Sequence, residues 1–240
     1  MLIFWRLCFG HLLADFTFQS DFVARWKRKS FWGMLVHCSM HPIAYAALTY
    51  PYLSDVWIKI GWLKLSGWLC ILAIFLVHFI EDEWRVFTIF KFRTPDNTLY
   101  FLWDQFIHLT SIFLLTPYQI VARWQPGWQG LMPEKWPVLG CLLILATHTS
   151  VVLVYFIEKD LYGIPFPKPS EKYFVIVERL LLALACLLPA PLAFLLVPVF
   201  LAVMGGARYK GLVGYSQVGF VLGAAFAVVF GLAGRAVYYA

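Results

Sequence analysis

Charge is what this chain has least of. Asp, Glu, Lys and Arg make up 13% of its 240 residues and hydrophobic ones 62%, with a mean hydropathy of +0.75. A water-soluble domain carries about 25% charged residues. This chain cannot clothe a water-facing surface, which excludes the soluble globular, disordered and fibrous classes. Paired cysteines are missing as well. Cys8, Cys38, Cys70, Cys141 and Cys186 each stand inside an apolar run with no CxxC among them, so they read as buried small hydrophobes. There is no Walker loop, HExxH, GxSxG or dinucleotide fingerprint, and no internal repeat or low-complexity tract. The net charge of +6 comes from short loops rather than from a basic stripe interleaved with stacking aromatics. That pattern sets membrane topology and gives no reason to expect nucleic acid as a partner.

What the chain does have is long apolar runs: 2–19, 31–53, 58–80, 98–121, 136–157, 173–203 and 212–238. A membrane span needs about 20 apolar residues. The expectation is an all-α, polytopic transmembrane helix bundle of six or seven spans, lying in the lipid bilayer. The first run carries Arg6, His11 and Asp15 and no small-x-small site, so it reads as a first membrane helix rather than a removed signal peptide. The sixth run holds Pro189, Pro191 and Pro198, and is either one kinked span or a broken one. Residues 1–121 read as a four-helix N-terminal unit and 122–240 as scaffold helices. The Trp/Pro/Gly-rich insert 122–135 reads as interfacial and 158–172 as a Pro-rich loop. Counting Lys and Arg gives ten in the odd loops (Arg25 to Lys29, Arg85 to Arg93, Lys159 to Lys172) and three in the even ones. This places the odd loops in the cytoplasm and the N-terminus outside, although Arg208 and Lys210 fall on the wrong side if 173–203 crosses once.

Ionisable groups within membrane helices cost about 2.5–3.5 kcal/mol each on insertion scales, so each needs a reason. Here they come in pairs: His11 with Asp15, His37 with His41, His78 with Asp82, and Asp104 with His108. Every pair is spaced i,i+4, which puts both side chains on one helix face. Counted from the cytoplasmic helix ends, all lie within about 17 Å, in one half of the bilayer. Neighbouring helices run in opposite directions, so the agreement in depth points to one convergent polar centre.

Imidazoles and carboxylates on facing helices are the donors that Zn, Mn or Fe sites use. On this reading His11, His37, His41, His78, Asp104 and His108 are candidate metal ligands. Asp15 and Asp82 are candidate catalytic groups that orient a ligand or take a proton from water. Pro42 removes one helical hydrogen bond and frees the Cys38 carbonyl, a further sign of a polar cavity. Two other readings remain: interhelical hydrogen-bonded glue, and a proton, ion or pigment role. For His148 glue is favoured, and Glu178–Arg179 reads as a local ion pair or snorkelling charge. Glu81, Glu83 and Arg85 either reach the centre from the cytoplasmic side or form a solvated loop end, and the second reading is favoured. The second half, with Gly205, Gly206, Gly219, Gly223, Ala227 and Gly231, reads as close helix packing.

The segments GHLLADFTFQSDFVARWKRK, LVHCSMH, LVHFIEDEWR and FLWDQFIHLTSIF resemble the bacterial membrane family called domain of unknown function 3307, over about residues 5–115. The matching positions are His11, Asp15, Gln19, His37, His78, Asp82, Asp104, Gln105 and His108, with Arg85 standing where the family more often has lysine. The resemblance implies a multi-pass protein of the bacterial inner membrane and brings no activity with it. A looser likeness, in residue types only, is to membrane-bound metal-dependent hydrolases of the YdjM-like kind. The expected function is a metal-dependent hydrolase of a lipid-linked or amphiphilic substrate, with Arg85 and Lys27 to Lys29 available to a phosphate headgroup. The alternative is a non-enzymatic accessory subunit of a larger, cofactor-bearing membrane complex or a homo-oligomer.

Overall fold

The structure is a computed structural model that describes residues 2–117, 135–211 and 216–239. The chain divides into two compact units, Met1–Pro137 and Val138–Ala240. The insert 122–134 lies outside the described residues.

In the first unit, α1 (Leu2–Leu12) runs into a π-helical segment (Leu13–Phe18), followed by the short α2 (Asp21–Lys27) and by α3 (Phe31–Thr49). After a hairpin come α4 (Gly67–Lys91) and α5 (Thr98–Leu114). Two caps follow directly from the sequence. Ser20 Oγ accepts from Val23 N at 3.3 Å to start α2, and Asn97 Oδ1 accepts from Tyr100 N at 2.9 Å to start α5. Helix α3 packs against α1, α2 and α4, while α5 packs against α1 and α4. Ile3, Leu7, Met34, Tyr45, Ile74 and Ile112 fill the spaces between them, essentially without exposure.

The outer face of this unit is apolar. Along α4, Leu69, Leu72, Leu76 and Ile80 are exposed at helical spacing, while His78, Glu81 and Asp82 point inward. A water-soluble helix has the opposite arrangement.

The third run does not begin as a helix. Val56–Ile60 (β1) and Leu63–Ser66 (β2) pair antiparallel around a turn at Gly61, whose φ is +58°. The stretch VWIKI…LKLS alternates with a period of two, and Gly61 takes the left-handed turn at little steric cost. Trp57 lies buried beneath the hairpin, its indole N–H donating to the Tyr52 carbonyl at 2.8 Å.

The second unit contains α6 (Lys135–Ile144), a π-helical segment (Leu145–Thr149), α7 (Ser150–Tyr162), α8 (Pro169–Leu187), α9 (Ala190–Tyr209) and α10 (Gln217–Tyr239). The sixth run is broken at Leu188–Pro189, where Pro189 cannot continue the α8 hydrogen-bond ladder. Leu182 packs with Met204, and Glu178 pairs with Arg208, so α9 returns antiparallel along α8. Arg208 and Lys210 therefore lie at the same end of the unit as Lys168 and Lys172. The expected close packing holds at Gly231, where a Cβ would stand 2.8 Å from the Ala183 carbonyl oxygen. It does not hold at Gly205 and Gly206, which face open space.

Among the described residues, three helices are long and apolar enough to cross a membrane: Lys135–Tyr162, Ala190–Tyr209 and Gln217–Tyr239. This corrects the count of six or seven. Helix α5 has 17 residues, α1 and its π extension end at Phe18, and the apolar run of α4 stops where Glu81, Asp82 and Glu83 begin. The polar residues of the expected centre are what dilute these helices.

Gly33 sets how closely α2 approaches α3, because a Cβ there would stand 2.5 Å from the Trp26 carbonyl. The obstacle is backbone, which cannot swing aside. Gly33→Ala is expected to destabilise the protein by about 1–3 kcal/mol, the usual range for overpacking, read as a lower unfolding midpoint in detergent.

Candidate metal centre

The side chains expected to converge do so. His11, His37, His41, His78, Asp82, Asp104 and His108 are all buried, and Asp15 retains 8% exposure. Each of the four long helices of the first unit contributes, and the i,i+4 spacing on α1, α3, α4 and α5 turns each pair toward the same interior space. His78 stacks between two other imidazoles, with ring centroids 3.8 Å from His41 and 3.9 Å from His108.

His41 is oriented by the Pro42 effect. The Cys38 carbonyl, deprived of its helical donor, accepts from His41 Nδ1 at 3.3 Å. With Nδ1 carrying the proton, the lone pair of the neutral ring is on Nε2, which faces Asp15 Oδ1 at 3.1 Å. A lone pair and a carboxylate oxygen at that distance need a proton or a cation between them. Ligand histidines of metal sites are commonly fixed by this kind of N–H to carbonyl bond.

Among the described residues four donor groups emerge, two of which (His11, His78 and His108; His37, Cys38, His78 and Asp82) share His78 with the first. In the first, Asp15 Oδ1 lies 3.3 Å from His37 Nε2, 3.1 Å from His41 Nε2 and 3.8 Å from His78 Nε2. Donors around a tetrahedral ion with bonds of about 2.0–2.1 Å stand roughly 3.4 Å apart, so this set can hold a metal ion. The second set is Glu81, Asp82, Asp104 and His108. Asp82 Oδ2 also approaches His37 Nε2 at 3.1 Å and His78 Nε2 at 3.7 Å, so it links the two sets. Some buried ligand atoms make no hydrogen bond, His78 Nε2 and His108 Nδ1 among them. Buried polar atoms without partners are rare, and each calls for an explanation.

Three cationic side chains serve these acids. Lys27 Nζ donates to Asp82 Oδ2 and to His37 Nε2, both at 3.0 Å. Burial would lower the pKa of the Lys27 ammonium, but Asp82, Asp15 and Asp104 outweigh it and hold the value above that of an ordinary lysine. Arg85 bridges Asp104 (2.9 Å) and Asp96 (3.2 Å), and Arg28 donates to Asp96 at 2.6 Å. Gln105 ties the halves together: its Nε2 donates to Asp15 and Asp104, both at 3.2 Å, and its Oε1 meets His11 Nε2 at 3.2 Å.

Of the two readings open for Glu81 the structure shows the one in which it reaches the centre, and Lys27, expected at the surface, is a member as well. Glu81 Oε2 lies 3.4 Å from His108 Nε2, and the Glu81 carboxyl is within hydrogen-bonding reach of Asp104. The signal was available: His78, Glu81, Asp82 and Arg85 follow i, i+3, i+4, i+7, one face of α4. Lys27 is fixed instead by the fold of α2 against α3. Outside the centre, His148 lies on the second π segment, its Nδ1 3.1 Å from Thr147 Oγ1. Glu178 pairs with Arg208 at 2.8 and 3.0 Å rather than with Arg179, which corrects the expected local pair.

The family described as "Protein of unknown function (DUF3307)" matches residues 3–138, more than half of the chain and all of the donors above. The chain belongs to that family. No curated protein and no solved structure matches it.

The Lys27–Asp82 contact is testable by a double-mutant cycle. Asp82→Asn should destabilise by about 2–3 kcal/mol, somewhat less than a fully buried broken pair because Lys27 keeps some exposure. Adding Lys27→Met should restore part of that loss in detergent unfolding, whereas additive losses would mean that the two groups are not energetically coupled.

Proposed function

We propose that this is a multi-pass membrane protein whose N-terminal unit holds a divalent cation in the His/Asp centre and uses it to hydrolyse a lipid-linked or amphiphilic substrate. The observation that carries the reading is the charge and donor balance of the interior. Asp15, Glu81, Asp82 and Asp104 are buried carboxyls, yet among the cationic side chains of the described residues only Lys27 and Arg85 pair with members of the set, Arg28 being held by Asp96. With all four ionised two negative charges are left over beside the imidazoles, one when Glu81 and Asp104 share a proton, and a bound cation would answer that excess. Interhelical glue alone would satisfy its members, whereas here His78 Nε2 and His108 Nδ1 make no hydrogen bond. The apolar outer face of α4 supports a lipid environment for this unit too, despite helices short of a full span. The basic residues at its α2 end favour the cytoplasmic side.

A cation in such a site polarises what it binds and lowers the pKa of water toward about 7. We assign Asp15, His37, His41 and His78 to the ligand set, with Asp82 shared. Glu81 and Asp104, two carboxyls side by side, are suited to hold and return one proton. Asp15, Glu81, Lys27 and Arg85 are the members that keep some solvent exposure, so a substrate would arrive past them. Lys27 and Arg85 would then orient an anionic headgroup such as a phosphoester. Zn, Mn or Fe suits the N/O donors.

Elemental analysis of detergent-purified protein tests the reading. Wild type should carry stoichiometric metal, His41→Ala and His78→Ala should lose it, and His148→Ala should keep it. Metal should be released as pH falls below about 6, when imidazoles take up protons in competition with the ion. Protein that is metal-free as isolated and binds neither Zn nor Mn on titration would overturn the proposal. Loaded protein that cleaves no phosphoester or ester amphiphile would overturn the hydrolytic part.

A further inference from the structure

The second unit contains a cavity of about 510 Å³, lined by parts of α7, α8, α9 and α10 and by the loop after α7. Its walls are largely apolar, with Val151, Val154, Tyr155 and Phe220 among them, and Lys168 and Lys172 also line it. Within this lining stand two groups of opposite charge that do not pair with each other. Arg179 is 3% exposed, and its guanidinium donates at 2.8 Å to the neutral Ser150 hydroxyl. Among the described residues, no carboxylate is in ion-pair contact with it. Glu158 Oε1 is buried and has no hydrogen-bond partner. The neighbouring Arg208 is already held by Glu178.

Both groups rest on glycines of α10. A Cβ at Gly219 would stand 2.5 Å from Glu158 Oε1, and one at Gly223 would stand 2.5 Å from Arg179 Nη2. The two glycines are one helical turn apart, about 6 Å along the axis. The fold has cleared space for two unpaired charges side by side, where leaving either unsatisfied is costly.

We infer that this cavity binds the headgroup of an aminophospholipid, with the phosphate on Arg179 and the primary ammonium on Glu158. Two carbons and one oxygen separate phosphorus from nitrogen in phosphoethanolamine, a span of the same order as the glycine spacing. A primary ammonium gives Glu158 Oε1 the N–H donor it lacks, which a quaternary choline cannot. The apolar walls receive the start of the acyl chains. Nothing in this inference depends on the His/Asp centre of the first unit.

The test is native mass spectrometry of the full-length protein in detergent with added phosphatidylethanolamine, phosphatidylcholine or phosphatidylglycerol. Wild type should retain phosphatidylethanolamine about tenfold better than the other two, the ratio expected from one charge-assisted hydrogen bond. Glu158→Gln should remove the preference over phosphatidylcholine, and Arg179→Met should lower retention of all three. Equal retention of phosphatidylglycerol and phosphatidylethanolamine by wild type, or an unchanged preference in Glu158→Gln, would overturn the inference. Should Arg179→Met fail to fold, the Glu158→Gln comparison still decides. Water-soluble glycerophosphoethanolamine competing as well as the lipid would overturn the part given to the acyl chains.

Discussion

The contact on which the first unit depends is that between Asp15 and the imidazoles around it. One carboxylate, on the π-helical continuation of α1, is approached by His11, His37, His41 and His78 from three different helices. In an interior of this kind an uncompensated charge costs several kcal/mol, so the helices cannot move independently without leaving it unpaired. The remainder of the centre follows from that demand. Gln105 fixes the free side of Asp15, Asp82 extends the cluster across α4, and Lys27 and Arg85 limit its excess of negative charge.

Apolar packing does the complementary work and settles less. Ile, Leu and aromatic side chains on the outside of the bundle resemble those inside it, so apolar character alone does not choose which faces pack. Specificity in such a bundle falls to the polar residues and to places where backbone meets backbone. Gly33 under Trp26 and Gly231 under Ala183 are two such places. Each holds a helix pair at a separation that any side chain would disturb.

Much of the centre was legible in the sequence because helical periodicity is a strong signal and the polar residues were few. Four i,i+4 pairs at matched depth implied one focus, and Pro42 implied a carbonyl in need of a donor, which His41 supplies. Glu81 is ambiguous in the sequence because it stands at the end of an apolar run, where a carboxylate normally meets water. Lys27 was hidden because α2 is a seven-residue element whose placement depends on α3 and not on its own pattern. The hairpin was missed because Val56 to Ser66 is apolar enough to be read as the start of a span, its alternation being overlooked in favour of length. The break before Pro189 was one of two readings left open, and only the pairing of α9 with α8 chooses between them.

The π-helical segment at Leu13–Phe18 has a consequence for the chain as a ruler. Wider turns of this kind accommodate one residue more than a regular helix does, and here they lie immediately between the stretch that carries Arg6 and His11 and the stretch that leads into α2. Because the extra residue is taken up within the wide turn, winding this segment as regular α-helix with every residue retained would rotate everything before it by about 100° relative to everything after it, the angle one residue subtends in an α-helix. His11 and Asp15 could then not both keep their neighbours. The width of this turn, and not only the identity of its residues, is part of the centre.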